Sequence, residues 1–167
     1  MNRLALRSWT RRWMGPTSGF TYIELIIATV ILTILAAAVI PVAQVTAKRA
    51  REIELRRNLR TIRDAIDNYK RAVDTGLIGG TDVEVGSEGY PKELEVLVKG
   101  VVQVGTVDRK LKFLRRVPFD PMTGTTDWGL RSYQDDPDST YWGGQNAYDV
   151  YTKSTETALD GTKYRDW

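Results

Sequence analysis

One carboxylate stands inside a long apolar run. Glu24 is the only charge between Phe20 and Ala47, and it closes the hexapeptide Gly19-Phe20-Thr21-Tyr22-Ile23-Glu24. A carboxylate at the centre of a bilayer costs roughly 2.5–3.5 kcal/mol on insertion scales, so it needs a partner or a task. Cleavage of the chain after Gly19 would supply that partner. It would free a positive amine on Phe20, four residues ahead of Glu24.

The element carrying Glu24 must be a helix. Leu25 to Ile40 holds no charge and only two hydroxyls, Thr29 and Thr33. With the flanking Phe20–Glu24 and Pro41–Ala47, the stretch reaches the roughly 20 residues that cross a bilayer. Ahead of it, residues 1–19 hold Arg3, Arg7, Arg11 and Arg12 and no acid. Positive charge before an apolar run retains that end in the cytoplasm. Lys48, Arg49, Arg51, Arg56 and Arg57 follow the run and pull the other way, so charge alone leaves the topology open. An ordinary secretory signal would have an apolar region of roughly 7–15 residues and no place for Glu24. A plain anchor would explain the hydropathy but not Gly19, Phe20 and Glu24 together.

Beyond Val42 the helix continues, with neither glycine nor proline until Gly76. Leu55, Leu59, Ile62, Ile66, Tyr69 and Val73 are spaced four, three, four, three, four, which draws one apolar stripe. That stripe packs on the chain's own domain or on a second helix in a coiled coil. Glu52–Arg56 and Asp67–Arg71 stand in the favourable i,i+4 order on other faces. Pro41 lies within the helix and predicts a bend or local melting. After Asp74-Thr75-Gly76, a Gly-rich stretch runs from 77 to 89. Tyr90–Gly100 then reads as a short helix started by Pro91 and stopped by Gly100. The valines between 101 and 107, Trp128–Tyr133 and Ala147–Tyr151 are strand candidates.

Composition excludes several chemistries. The chain has 167 residues, no cysteine and no histidine. It therefore lacks a thiolate nucleophile, a disulfide and the commonest general base and zinc ligand. The formal charge is +3, but four of the 24 basic residues precede Phe20, leaving 20 against 21 acidic residues. The basic balance is thus no sign of nucleic-acid binding, and no motif argues for an enzyme.

The segment from the Arg-rich start through Gly19-Phe20-Thr21-Tyr22-Ile23-Glu24 to Pro41 resembles the type IV prepilins and pseudopilins. Further on, Tyr90-Pro91, Phe113-Leu114-Arg115-Arg116-Val117-Pro118-Phe119-Asp120-Pro121, Tyr148-Asp149-Val150, Asp160-Gly161 and Trp167 are similar to the major pseudopilin of type II secretion systems. The resemblance implies an α+β, pilin-like fold: a long N-terminal helix, half transmembrane, packed on a small antiparallel sheet. It divides the chain into a removed leader (1–19), an apolar transmembrane and assembly helix (20–47), an amphipathic continuation (48–76) and a globular head (77–167). It implies that a prepilin peptidase cuts between Gly19 and Phe20 and methylates the Phe20 amine. Glu24 would then pair with that amine in a neighbouring copy, and Pro41 would mark where the helix loosens on assembly.

The implied partners are further copies of the chain in a filament, the peptidase, an inner-membrane assembly platform, minor pseudopilins and the membrane itself. The implied place is the bacterial inner membrane, single-pass, with the head in the periplasm. The implied function is to drive protein export by polymerising. The pilin of a surface type IV pilus, serving motility, adhesion or DNA uptake, shares this fold and processing. A lipid-anchored binding protein that forms no filament is the third reading, and it predicts that Glu24 is dispensable. Members of the pseudopilin family often bind calcium before the C-terminus, which would fall on Asp160 and Asp166. Asp135, Asp136 and Asp138 form a second acidic cluster.

Overall fold

A computed structural model describes residues 19–79, 86–106 and 108–167. The basic leader ahead of Gly19, the middle of the Gly-rich stretch and Val107 lie outside the described residues. The chain divides into two compact units, Met1–Val42 and Ala43–Trp167.

Helix α1 spans Tyr22–Asp74. Thr21 caps it: its Oγ1 accepts the Glu24 N–H at 3.3 Å, and its carbonyl accepts that of Leu25 at 3.1 Å. Thr-x-x-Glu is the sequence of a capping box, which quiets helix-end donors that have no partner within the helix. The helix continues through Pro41 without a break in its assignment, rather than melting there. A proline withholds one backbone donor, and the uninterrupted ladder on either side carries the helix past it. At the other end Gly76 takes φ 69°, and Leu77 and Ile78 both return their N–H to the Ala72 carbonyl. That left-handed turn closes the last carbonyls of the helix.

In the second unit the apolar stripe is buried. Leu55, Leu59, Ile62, Ile66 and Tyr69 all lie in one core with Leu94, Leu97, Leu114, Trp128, Val150 and Tyr164. Of the two fates open to the stripe, packing on the chain's own domain is the one observed. Each such side chain contributes about 1.5–3 kcal/mol over an exposed one.

The remaining elements are short. Helix α2 spans Leu94–Lys99 and is followed by strands β1, Val101–Val102, and β2, Lys110–Leu111. β3 is Gly129–Arg131, β4 is Asp149–Tyr151, and a 3-10 turn covers Tyr164–Asp166. β1 pairs antiparallel with β2, and β3 with β4, as two separate two-stranded sheets. α2 starts later than the sequence predicts. The Pro91 carbonyl accepts the Ala147 N–H at 2.7 Å, which ties the chain ahead of α2 to the β4 side instead of winding it. Gly129 faces Tyr151 across the β3–β4 pair, and a Cβ there would come within 2.3 Å of the tyrosine ring. Only glycine leaves room for that ring, which the Arg131 guanidinium covers at 4.3 Å from its centroid. The molecule is thus α+β: one long N-terminal helix and small antiparallel sheets.

Candidate functional site

The Glu24 region sits at the open end of α1. Phe20 is 83 % exposed, and among the described residues nothing lies within 4 Å of where a Gly19 side chain would begin. Leu25, Ile26 and Ile27 are exposed, as are Val30, Ile31 and Leu32. Consecutive helical residues point about 100° apart, so this part of α1 is apolar on every side. Its most hydrophobic window has a mean hydropathy of 2.8. Among the described residues, α1 is the one helix long and apolar enough to cross a membrane. The two hydroxyls of the stretch are satisfied within the helix: Thr29 donates to Ile26 O at 2.8 Å and Thr33 to Thr29 O at 2.7 Å. Neither threonine is thereby left with a hydroxyl seeking water in hydrocarbon. Glu24 remains the one charge on it, one turn from Phe20. Pro41 lies at the far end of the same stretch.

A second constellation holds the C-terminal segment against α1, all within the second unit. Lys48 Nζ donates to Thr157 O at 2.6 Å. Glu52 is only 8 % exposed, and its Oε1 accepts both the Leu159 N–H and the Tyr164 hydroxyl at 2.8 Å. The Arg56 guanidinium lies 3.9 Å from the centre of the Trp167 ring and 3.4 Å from Asp160 Oδ2. Arg63 Nε reaches Asp149 Oδ1 at 2.7 Å, and its Nη2 reaches Val150 O and Trp167 O at 3.0 and 2.7 Å. Burial, together with the Glu52 carboxylate, pushes the Tyr164 phenol far above its ordinary value, so it stays a donor.

Reading the sequence for pairs along the helix missed this arrangement. Glu52 and Arg56 make no ion pair with each other among the described residues; both turn outward to the 157–167 segment. Arg71 likewise bonds Asn68 rather than Asp67, and the i,i+4 ion pair that forms is Lys70–Asp74. The signal was present in the spacing. Lys48 and Glu52 extend the Leu55–Leu59 stripe backward by steps of four and three. Polar residues on a buried line predict buried polar partners.

The two acidic clusters can be tested against calcium, which takes about six to eight oxygen ligands. Asp160 Oδ1 accepts the Thr162 N–H and hydroxyl at 3.0 and 2.6 Å, while Oδ2 faces Arg56. These contacts, the Thr162 hydroxyl first, hold its carboxyl below the usual range. Asp166 lies beside Arg165 at 3.5 Å. Asp135 Oδ2 is taken by the Ser132 and Gly143 N–H groups at 2.7 and 3.0 Å. Among the described residues no three acidic side chains gather into a ligand group. The Asp160 carboxylate is thus shared between Thr162 and Arg56, and that of Asp166 lies beside Arg165.

No family model, curated protein or solved structure matches this chain. What the geometry defines is an α+β protein whose N-terminal helix begins as an apolar, membrane-length segment and ends as the spine of a small head.

Proposed function

We propose that this chain is a pilin-like filament subunit, the structural subunit of a type II secretion pseudopilus. A peptidase releases it between Gly19 and Phe20 and methylates the new amine. The apolar part of α1 keeps the subunit in the inner membrane, with the head in the periplasm. On assembly that helix leaves lipid for the filament core, where Glu24 neutralises the Phe20 amine of a neighbour. A buried pair of this kind gives register more than net stability, because both ions lose their water. Polymerisation then does mechanical work on exported cargo.

One observation carries the reading. A helix apolar on every side bears a single carboxylate one turn beyond Gly19-Phe20, and among the described residues that carboxylate has no hydrogen-bond or ion-pair partner; the cap takes only the Glu24 backbone N–H. A simple anchor has no use for that charge, which insertion opposes by roughly 2.5–3.5 kcal/mol.

The test is intact mass and N-terminal sequencing of the membrane-extracted protein, with microscopy for filaments. A chain starting at methylated Phe20 and recovered in filaments supports the proposal. A chain still starting at Met1, or one that never polymerises, overturns it.

A further inference from the structure

Outside these two regions, the second unit carries a groove of about 800 Å3 between α1 and the 113–119 segment. Arg57, Arg115 and Arg116 line it, with the Phe119 ring and one carboxylate, Glu54. All three arginines are exposed, and among the described residues none has an ion-pair or hydrogen-bond partner for its guanidinium. Phe119 is 52 % exposed. The wall itself is firm: Asn58 donates to Phe119 O at 2.8 Å and the Trp128 indole to Pro118 O at 2.9 Å. Three exposed guanidinium groups lining one groove favour a partner bearing carboxylates.

The same chain presents such a partner. Between Arg131 and Lys153 there is no basic residue, and Asp135, Asp136 and Asp138 fall within this stretch. Asp135 spends its carboxylate on the Ser132 and Gly143 N–H groups. Arg131 Nε holds the Ser139 carbonyl at 2.9 Å, and the Tyr151 hydroxyl holds that of Thr140 at 3.0 Å. The loop is therefore shaped from within. Asp136 and Asp138 are left exposed and without side-chain partners among the described residues. Beside them Tyr141 is 79 % exposed.

We propose that the Arg57–Arg115–Arg116 groove of one copy receives the Asp136–Asp138 loop of a second copy. The inference rests on the filament reading, because it takes the second copy to be a neighbour in that filament. Groove and loop are different surfaces, so the contact is heterologous. Such a contact leaves a free groove at one end and a free loop at the other, and it propagates without closing into a dimer. Complementary charge fixes which surfaces meet and in which register.

The absence of cysteine permits a clean test on the full chain. Copies carrying Arg116→Cys and copies carrying Asp136→Cys are mixed, assembled and oxidised. A disulfide-linked dimer should form in the mixture and not with either variant alone. In a parallel arm, Arg115→Glu with Arg116→Glu should lose assembly at unchanged melting temperature. Adding copies with Asp136→Arg and Asp138→Arg should restore it.

Filaments of the wild-type chain are scored separately by microscopy. Filaments without the cross-link overturn this contact and leave the filament reading standing. Absence of wild-type filaments overturns both. A cross-link from Arg116→Cys to Glu93→Cys but not to Asp136→Cys places the acidic partner elsewhere and overturns the proposal. So does binding of the wild-type chain, but not the Arg115→Glu, Arg116→Glu variant, to anionic phosphatidylglycerol vesicles with no cross-link formed. That outcome assigns the groove to lipid.

Discussion

Helix α1 has two unlike halves. Its first half is apolar on every face, and its side chains are exposed in the single chain. Its second half gathers Leu55, Leu59, Ile62, Ile66 and Tyr69 into one buried stripe, with Ile53 left exposed on another face. The difference lies in periodicity rather than in hydrophobic content. A stripe can be satisfied by one neighbour, and the head supplies it. An all-round apolar surface needs a medium such as lipid, or several helices at once. The polar residues divide in the same way. The Glu24 carboxylate has no partner among the described residues, while that of Glu52, seven helical turns and more along the chain, accepts from two donors of the head.

The largest expected effect separates assembly from folding. Glu24→Ala should abolish filaments while membrane insertion and head stability remain those of the wild type. Insertion becomes easier without the charge. In the filament, however, the Phe20 amine is left buried and unpaired, which is the costly arrangement. Glu24→Gln keeps a hydrogen-bond acceptor and should be intermediate. Filament yield by microscopy against inserted protein in membrane fractions reads the two separately. Normal yield from Glu24→Ala would collapse the distinction between the helix halves as far as function goes.

Next in size is a matched pair of truncations. Ile62→Ala, in the buried stripe, should cost about 2–5 kcal/mol of head stability through lost contacts and a residual cavity. Ile31→Ala, in the exposed apolar half, should leave head unfolding unchanged, within about 0.5 kcal/mol. Denaturant unfolding of the full chain in detergent, followed by tryptophan fluorescence, measures both. Of the five tryptophans, Trp9 and Trp13 precede Gly19, and Trp128, Trp142 and Trp167 belong to the second unit and report on the head. Equal costs at the two positions would mean that the apolar half also packs on protein in the isolated subunit.

How much of this was legible in the sequence follows from the same contrast. The stripe announced itself because its period of four and three is set by helix geometry, whatever it packs against. The candidate strands at 128–133 and 147–151 were found as β3 and β4, trimmed to three residues each. What stayed hidden depends on distant chain. Nothing local says that Pro91 bonds Ala147, or that Glu52 meets Leu159 and Tyr164 more than a hundred residues later. The helical pair Glu52–Arg56 failed for this reason, tertiary partners prevailing over a weak surface attraction of about 0.2–0.5 kcal/mol, whereas Arg71 turns to Asn68 on its own helix instead of Asp67. At the N-terminal end the reverse holds. The hexapeptide Gly19–Glu24 is legible from sequence, and the single chain adds only the capping geometry, because its proposed partner is another molecule.

A smaller effect tests the enclosed carboxylate. Glu52→Ala leaves the Leu159 N–H and the Tyr164 hydroxyl without an acceptor and should cost about 1–3 kcal/mol. Tyr164→Phe removes one donor and keeps the ring, and should cost about 1 kcal/mol. The pH dependence has a definite sign. The folded phenol is held well above its ordinary value of 10.0. Above about pH 10 the unfolded chain therefore releases this proton while the folded chain keeps it, and stability falls as pH rises. Below that pH the contribution is complete. Melting temperature between pH 8 and 11 should drop more steeply for wild type than for Tyr164→Phe. Parallel curves would show that Tyr164 is not enclosed as described.

The smallest effect concerns Asp160, an exposed carboxylate on the C-terminal segment that Glu52 of α1 holds. Its carboxylate shapes a local turn through Thr162 and meets Arg56 at the surface. Exposed pairs contribute little because water and salt screen them. Asp160→Ala should therefore leave the melting temperature close to wild type near neutral pH. Its lowered acidity range gives the sign on the acid side: the folded carboxyl sits below the unfolded value of 3.8, so its contribution is present above that pH and fades as pH falls through it. Calcium sharpens the point. An ion that binds only the folded state raises stability by mass action. With Arg56 on one side of Asp160 and no third acidic ligand gathered nearby, melting curves in calcium and in chelator should coincide. If calcium raised the midpoint and Asp160→Ala removed the gain, the segment would be ordered by an ion. The ladder of Lys48, Glu52 and Arg56 would then be its support rather than its substitute.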